Sequence, residues 1–233
     1  MTRFRGGQAA GNGGSSAPCA RHGNHALRRC IRGWTIALCL LFSTPLLAQT
    51  PAHTILVLGD SLSAAYGIPR ERGWVALLQK RLAQEKLPDA RVINAGISGD
   101  TTDGGLARLP ALLNKYHPDI AIVELGANDG LRGFQIQRTR DNLAQLITLC
   151  QNAGAKVLLV GMKIPPNYGL RYTSDFYETY TLAAKQFDVP LVPFLLEGVA
   201  THPELMQRDE LHPNVDGQPI ILDTVWKYLR PML

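Results

Sequence analysis

The stretch TILVLGDSL, which runs from Thr54 to Leu62, decides how this chain is interpreted. Its first five residues form a nearly continuous apolar run, typical of a parallel strand that is covered on both faces. Gly59 and Asp60 interrupt the run, and Ser61 follows directly. The stretch therefore predicts a serine at the carboxyl end of a buried strand, a position suited to nucleophilic chemistry.

Apolar runs of the same kind recur along the chain and alternate with amphipathic segments. The predicted strands are 54–58, 91–94, 120–125, 157–161 and 190–194. Between and after them the apolar residues keep a helical spacing, in stripes at 74–82, 106–116, 136–150, 176–187 and 221–229. Pro110 is expected to start or kink its helix. Alternating strands and helices predict an α/β fold, a three-layer α/β/α sandwich around a five-stranded parallel sheet in the flavodoxin-like order 2-1-3-4-5.

The first 48 residues read as a cleavable export signal. They contain six arginines and no acidic residue, and the apolar stretch from Trp34 to Ala48 is too short and too interrupted to span a bilayer comfortably. A basic flank, a short apolar stretch and a small residue at its end are typical of such a signal, here with a long flank. We expect cleavage after Ala48, a single domain over residues 49–233, and export to the periplasm or the medium.

Removing the leader changes the charge balance of the chain. Of 24 basic residues, 18 remain against 19 acidic ones, so the mature chain is close to neutral. This leaves little support for nucleic-acid binding or for attraction to a membrane surface. Cys150 is the one cysteine after the leader, so no internal disulfide is possible. Because it falls on an apolar helix stripe, we interpret it as a small buried hydrophobe.

Further polar residues follow the predicted strands where a nucleophile would need them. Gly99 follows the second strand, Asn128 follows the third, and Asp209 stands three residues before His212 near the end of the chain. We expect His212 to be the base for Ser61, and Asp209 to orient it across a helical turn. The backbone N–H groups of Ser61 and Gly99 and the Asn128 amide are candidates for stabilising an oxyanion.

Each of these residues also has an ordinary structural explanation. Ser61 fits a helix cap, Gly99 a turn with positive φ, and Asn128 a turn before Gly130. A catalytic role is favoured because Ser61, Gly99 and Asn128 all follow the carboxyl ends of predicted strands. Among the other histidines of the mature chain, His202 has Val199 three residues back, so only His212 has a carboxylate at hand in the sequence.

Other chemistries lack their motifs. The mature chain has no metal-ligand spacing of paired histidines or cysteines, no Walker loop and no Gly-x-Gly-x-x-Gly. It also lacks Gly-x-Ser-x-Gly, the nucleophile elbow of α/β-hydrolases. No cofactor or metal is therefore expected.

Four ordered blocks resemble the SGNH, or GDSL-type, hydrolases. Gly59-Asp60-Ser61-Leu62 gives one family name, and Ser61, Gly99, Asn128 and His212 match the four residues of the other. The likeness extends from about Thr54 to Pro231 and includes the segments 124–134 and 166–169. It is similar in particular to the bacterial branch of secreted thioesterases, lysophospholipases and arylesterases. One departure is Ala127, where those relatives carry glycine.

The resemblance implies a Ser61-His212-Asp209 triad, an oxyanion hole from Ser61, Gly99 and Asn128, and action on aryl or alkyl esters, acyl thioesters and lysophospholipids. It also implies that the loop after Asn128 binds the acyl group. The residues of that loop are Asp129, Gly130, Leu131, Arg132, Gly133 and Phe134. Small molecules are the expected partners of a monomeric chain that has no stable membrane span once the leader is removed.

Two other hypotheses stay open at this point. The same residues would serve a carbohydrate acetyl-esterase, although the apolar Leu131 and Phe134 argue mildly against it. A noncatalytic flavodoxin-like module would use the loop after the first strand to hold phosphate or flavin, but Asp60 would repel an anion there.

Overall fold

The structure is a computed structural model that describes residues 53–233. The predicted leader, residues 1–48, lies outside the described residues. Within residues 53–233 no helix is long and apolar enough to cross a membrane.

Five parallel strands form one sheet in the order β2-β1-β3-β4-β5, as predicted. β1 pairs with both β2 and β3, and the central strands β1 and β3 are almost entirely buried. Continuous runs of Ile, Leu and Val fit this position because both faces of the strand contact helices. The bounds are Thr54–Gly59 for β1, Arg91–Asn94 for β2, Ile120–Glu124 for β3, Lys156–Val160 for β4 and Leu191–Val192 for β5.

Helices cover the two faces of this sheet. Their bounds are Ser61–Ala64 for α1, Trp74–Gln84 for α2, Thr102–Tyr116 for α3, Ala127–Leu131 for α4, Ile136–Asn152 for α5, Leu170–Phe187 for α6 and Gln218–Leu229 for α7. α2 packs against α7, and α5 packs against both α3 and α6. Most residues of the predicted apolar stripes are buried, including Cys150, whose side chain is fully enclosed on α5, and others such as Leu106 and Phe187 are partly buried and pack against the core.

Three predicted strand ranges differ from the structure by a single residue, but two expectations, a helix start at Pro110 and the length of the last strand, were wrong by more than that. α3 does not start at Pro110 but at Thr102, because Thr101 caps the helix and accepts a hydrogen bond from the Gly104 backbone. Pro110 lies inside the helix at an exposed position, where water can satisfy the carbonyl that its ring leaves unpaired. β5 spans two residues rather than the predicted 190–194, since Pro190 and Pro193 have no N–H to donate to a sheet.

The carboxyl edge of the sheet gathers the short helices. α1 begins two residues after β1 ends, and α4 begins three residues after β3 ends. Since β1 and β3 are neighbours, the first residues of α1 and α4 meet at this edge. The fold therefore joins segments that lie more than 60 residues apart in sequence.

Candidate active site

Ser61 is presented by a tight turn between β1 and α1. Asp60 is the cap of α1, and its Oδ1 accepts the Leu62 N–H at 3.0 Å. Because Asp60 supplies the cap, the Ser61 hydroxyl is left for another contact. The alternative that Ser61 itself caps the helix is thereby excluded.

That contact is with His212. The His212 Nε2 atom lies 2.9 Å from Ser61 Oγ, and His212 Nδ1 lies 2.7 Å from Asp209 Oδ2. The structure thus brings the three predicted residues together in one hydrogen-bonded line. An imidazole held between a carboxylate and a hydroxyl has the geometry that nucleophile activation requires.

Asp209 reaches His212 through a turn and not through the predicted helical turn. Asp209 Oδ1 accepts the backbone N–H groups of Leu211 and His212, both at 3.0 Å, while Glu210 has a φ of +56°. A non-glycine residue in this left-handed region ends any helical path. Partial burial raises the pKa of the Asp209 carboxyl, but the hydrogen bonds from His212 and Leu211 and the charge of the imidazole lower it by more. The pKa of Asp209 therefore lies below its ordinary value.

Tyr66 and Gln207 make further contacts that hold His212 in place. The Tyr66 ring lies against the His212 ring with centroids 4.5 Å apart. The Gln207 backbone N–H donates to the His212 carbonyl at 2.7 Å, and its side-chain amide donates to the carbonyls of Tyr66 and Pro213. The sequence interpretation missed both residues, since no spacing rule links positions 66 and 207.

Asn128 is oriented by two acceptors in the first turn of α4. Its amide donates to Asp60 Oδ2 at 3.1 Å and to the Asp100 carbonyl at 2.9 Å. It shares a cavity wall with Ser61 and His212. Gly99 has a φ of +80°, and its carbonyl accepts from Arg132 at 2.8 Å, but Gly99 does not line that cavity. The chain thus offers a fixed amide beside the serine.

The cavity has a volume of about 450 Å³ and mostly apolar walls. Ser61, Asn128 and His212 occupy one side of it, and the loops after β4 and β5 supply much of the rest. The sequence interpretation did not assign these walls, although the rule that sites follow parallel strands points to both loops. The wall residues from the two loops are Met162, Lys163, Ile164, Pro165, Pro166, Phe194, Leu196 and Ala200.

Of the six residues predicted to bind substrate, Leu131 lines this cavity and the other five do not. Asp129 is fully buried and accepts two hydrogen bonds from Thr102, which tie α4 to α3. Burial raises the pKa of the Asp129 carboxyl, and the Thr102 bonds oppose that rise. The Phe134 ring packs under the Arg138 guanidinium, 5.4 Å away.

His202 has a carboxylate partner that the sequence interpretation overlooked. Its Nδ1 lies 3.2 Å from Oε1 of Glu204. Glu204 follows His202 by two residues, whereas only the position three residues before the histidine was considered in the sequence. The expectation that only His212 has a carboxylate at hand was therefore wrong. His202 and Glu204 are both exposed, and His212 is the histidine that contacts Ser61.

Two buried carboxyl groups stand next to Ser61. Asp60 and Glu124 are 1% and 0% exposed. Burial raises the pKa of Asp60 to about 6 and, together with the Asp60 charge, raises that of Glu124 well above its ordinary value. Among residues 53–233 no three His, Cys, Asp or Glu side chains are grouped as ligands for a metal.

Comparison with known proteins agrees with this architecture. The chain matches the GDSL-like Lipase/Acylhydrolase family over residues 57–220. It is 52% identical to Esterase TesA of Pseudomonas aeruginosa over 185 residues, which covers 79% of this chain and 92% of that protein. It is 48% identical to Thioesterase 1/protease 1/lysophospholipase L1 of Escherichia coli K12, covering 78% and 86% respectively. A crystal structure of TesA superposes with a TM-score of 0.76, at 52% identity, covering 78% of this chain and all of that one.

The family match and the esterase and thioesterase relatives define the general class, an enzyme that acts on esters. The chain belongs to the GDSL-like lipase/acylhydrolase, or SGNH hydrolase, family.

Proposed function

We propose that this ester hydrolase works through an acyl-enzyme formed on Ser61. His212 Nε2 accepts the Ser61 proton as Oγ attacks the acyl carbonyl carbon. The imidazolium then gives that proton to the leaving alcohol or thiol, and the acyl group stays on Ser61. The line of hydrogen bonds from Asp209 through His212 to Ser61 supports this assignment most directly.

The second half of the reaction uses the same base. His212 deprotonates a water molecule, which attacks the acyl carbonyl, and the released Ser61 oxygen regains a proton from the imidazolium. In both halves a negative charge develops on the carbonyl oxygen. We assign its stabilisation to the Asn128 amide and to the backbone N–H groups of Ser61 and Gly99. Asn128 lines the cavity beside Ser61, and its amide would redirect to the oxyanion one of the two N–H bonds that it donates to Asp60 and Asp100.

We further propose fatty acyl esters, acyl thioesters and lysophospholipids as the substrate class. The apolar walls of the cavity suit an alkyl chain, and its volume of about 450 Å³ lies within the range of small-molecule sites. The printed names of the relatives, an esterase and a thioesterase/lysophospholipase, point the same way.

A carbohydrate acetyl-esterase is the second candidate. It would use the same catalytic residues, but a sugar needs polar partners, and the residues that line the cavity are mainly Leu, Ile, Met, Pro, Phe and Ala. A comparison of an octanoyl ester with an acetylated sugar separates the two candidates. The third hypothesis, a noncatalytic module, loses its basis because the chain belongs to an enzyme family.

The test is hydrolysis of p-nitrophenyl esters from acetyl to palmitoyl by the chain that begins at Gln49. Ser61→Ala and His212→Ala are measured beside it, with circular dichroism as a control for folding. We expect both variants to lose activity by a factor of about 10⁴ or more. Asp209→Asn should also be strongly impaired, because an amide has no charge to stabilise the imidazolium and can donate to Nδ1, which holds His212 in the wrong tautomer.

Two results would contradict these proposals. Activity retained in folded Ser61→Ala removes the acyl-enzyme mechanism. A profile that peaks at acetyl and falls steeply with chain length removes the fatty acyl proposal and favours the acetyl-esterase.

Export is a separate proposal, supported by the composition of residues 1–48 and not by the described structure. It is tested by producing the full chain in a Gram-negative host, fractionating the cells and determining the N-terminus of the active protein. A mature N-terminus near Gln49 in the periplasm or medium supports it. Active protein with an intact leader in the cytoplasm contradicts it.

A further inference from the structure

Glu124 is a buried carboxyl group that the proposed mechanism does not use. It is the last residue of β3 and lies beneath the turn that carries Ser61. Its Oε2 accepts the Ser63 hydroxyl at 2.6 Å and the Asp60 backbone N–H at 3.2 Å. A methyl group at Gly59 would lie 2.5 Å from the same oxygen, so the turn packs directly onto Glu124.

The other Glu124 oxygen indicates its protonation state. Oε1 is completely buried and has no hydrogen-bond partner within the part of the chain that the structure describes. A fully buried carboxylate with one oxygen that receives no donor from the protein is strongly disfavoured. The geometry therefore favours a neutral acid at this position.

Asp60 is the second member of this buried pair. Its two oxygens accept the Leu62 N–H and the Asn128 amide. The Glu124 carboxyl accepts the Asp60 backbone N–H, so the two carboxyls are close neighbours, and burial together with the charge on Asp60 raises the pKa of Glu124. His212 favours a charge on Asp60, while Asp100 opposes it.

No cation neutralises a second charge at this position within residues 53–233. Arg108 donates to the Gly59 carbonyl at 3.1 Å, but its ion pair is with Asp100. Tyr180, the other titratable side chain influenced by both carboxyls, is fully buried, and its pKa is raised well above its ordinary value, so it is neutral. Two adjacent carboxylates would thus have no cation to balance the second negative charge. Buried pairs of carboxyl groups avoid this repulsion by sharing one proton.

We propose that Asp60 and Glu124 hold one proton between them, located on Glu124, and that neutral Glu124 is a positioning residue for the Ser61 turn. This inference rests on the roles proposed above for Ser61, Asn128 and His212. The single charge that remains on Asp60 orients the Asn128 amide and stabilises the imidazolium of His212. A second charge there would oppose the oxyanion that develops beside Asn128.

The first arm of the test is spectroscopic and does not depend on activity. Infrared difference spectra of the mature chain minus Glu124→Gln at pH 7 should contain the carbonyl stretch of a protonated carboxyl, shifted in D₂O. A spectrum with carboxylate bands and no such stretch overturns the proposal. This result stands whether or not Ser61 proves to be the nucleophile.

The second arm is kinetic and uses a matched pair of variants with a p-nitrophenyl ester. Glu124→Gln keeps the shape and neutrality of the acid, so its kcat should stay within about threefold of the parent. Glu124→Ala removes the support under the turn, and its kcat should fall by a factor of about 10 to 100 with little change in KM.

A Gln variant as impaired as the Ala variant, or an Ala variant with full kcat, overturns the positioning role. If Glu124→Ala does not fold, the Gln variant and the infrared band still decide the question. Loss of all activity in the parent chain would instead contradict the proposed function, and the infrared result would remain independent of it.

Discussion

The ring of Tyr66 lies against the imidazole of His212, with centroids 4.5 Å apart and planes inclined at 40°. Under the proposed mechanism, an aromatic face in this position would stabilise the imidazolium formed on deprotonation of Ser61, by about 0.5–1 kcal/mol at an exposed site. We expect Tyr66→Leu to lower kcat/KM about two- to fivefold. Tyr66→Phe keeps the aromatic face and should behave like the parent in the same ester assay. Equal loss in both variants would indicate that the phenol hydroxyl matters instead.

Asn128→Ala should reduce kcat by about 10²- to 10³-fold, because it removes a donor to the developing oxyanion. KM should change little, since the carbonyl of bound substrate carries much less charge than the transition state. Steady-state kinetics on one ester measure both constants, and thermal unfolding controls for stability. A variant that loses affinity but keeps kcat would assign Asn128 to binding.

Gly126→Ala should destabilise the protein strongly. Gly126 has a φ of +113°, and a methyl group there would lie 2.3 Å from the Tyr180 hydroxyl oxygen. That hydroxyl donates to the Leu125 carbonyl at 3.0 Å, so it is not free to move away. We expect a loss of about 3 kcal/mol in the free energy of unfolding, from strain and overpacking combined.

The control for this prediction is Gly133→Ala. Gly133 also has a positive φ, +67°, but nothing lies within 4 Å of its added methyl group. It should lose only about 1–2 kcal/mol. Urea unfolding of the two variants separates strain from overpacking, and equal losses would contradict the close contact at Tyr180.

Stability should fall as the pH rises through the acidic range, more steeply in the parent than in Glu124→Gln. Folding raises the pKa of Asp60 from 3.8 to about 6 and raises the pKa of Glu124 well above its ordinary value. The native state therefore binds more protons than the unfolded state, and this contribution is complete below pH 3.8 and lost as the pH rises through 6 and above.

Urea unfolding midpoints of the parent and Glu124→Gln between pH 4 and 8 measure this effect. Asp209 acts with the opposite sign, because its lowered pKa makes its contribution disappear at acidic pH. Asp60 and Asp209 are common to both proteins, so the difference between their curves isolates the contribution of Glu124. Parallel curves would contradict the prediction.

Cys150 should be inert to thiol reagents in the native mature chain. The side chain is fully buried on α5, and burial raises the pKa of its thiol to about 12. The thiolate that reacts is therefore both scarce and inaccessible. A chromogenic disulfide should label it only in denaturant, at one equivalent per mature chain. Rapid labelling without denaturant would show that α5 opens locally.

The sequence predicted the sheet well because its central strands are continuous apolar runs bounded by glycine and polar residues. β1 and β3 carry Ser61 and Asn128 at their ends, so these positions followed from strand order alone. β5 was harder to predict, since Pro190 and Pro193 shorten a strand that its Leu and Val residues favour.

The surroundings of the site were less predictable, for physical reasons that differ from case to case. The Asp209 turn depends on side-chain acceptance of backbone N–H groups, which has no periodic signature. The cavity walls after β4 and β5 come from irregular loops. Glu124 is visible in the sequence as a carboxylate at the end of the apolar run IAIVE. Many strands end in an exposed charged residue, however, and only the structure shows that this one is buried.

The hydrogen bond between Ser61 and His212 closes a loop of 151 residues in the sequence. Ser61 leaves the ribosome early, whereas His212 belongs to the last tenth of the chain. A nascent chain that stops before His212 therefore holds Ser61 without its hydrogen-bond partner. Under the proposed mechanism such a chain has no base for its serine, so activity would begin only after His212 has been synthesised and has docked against Ser61.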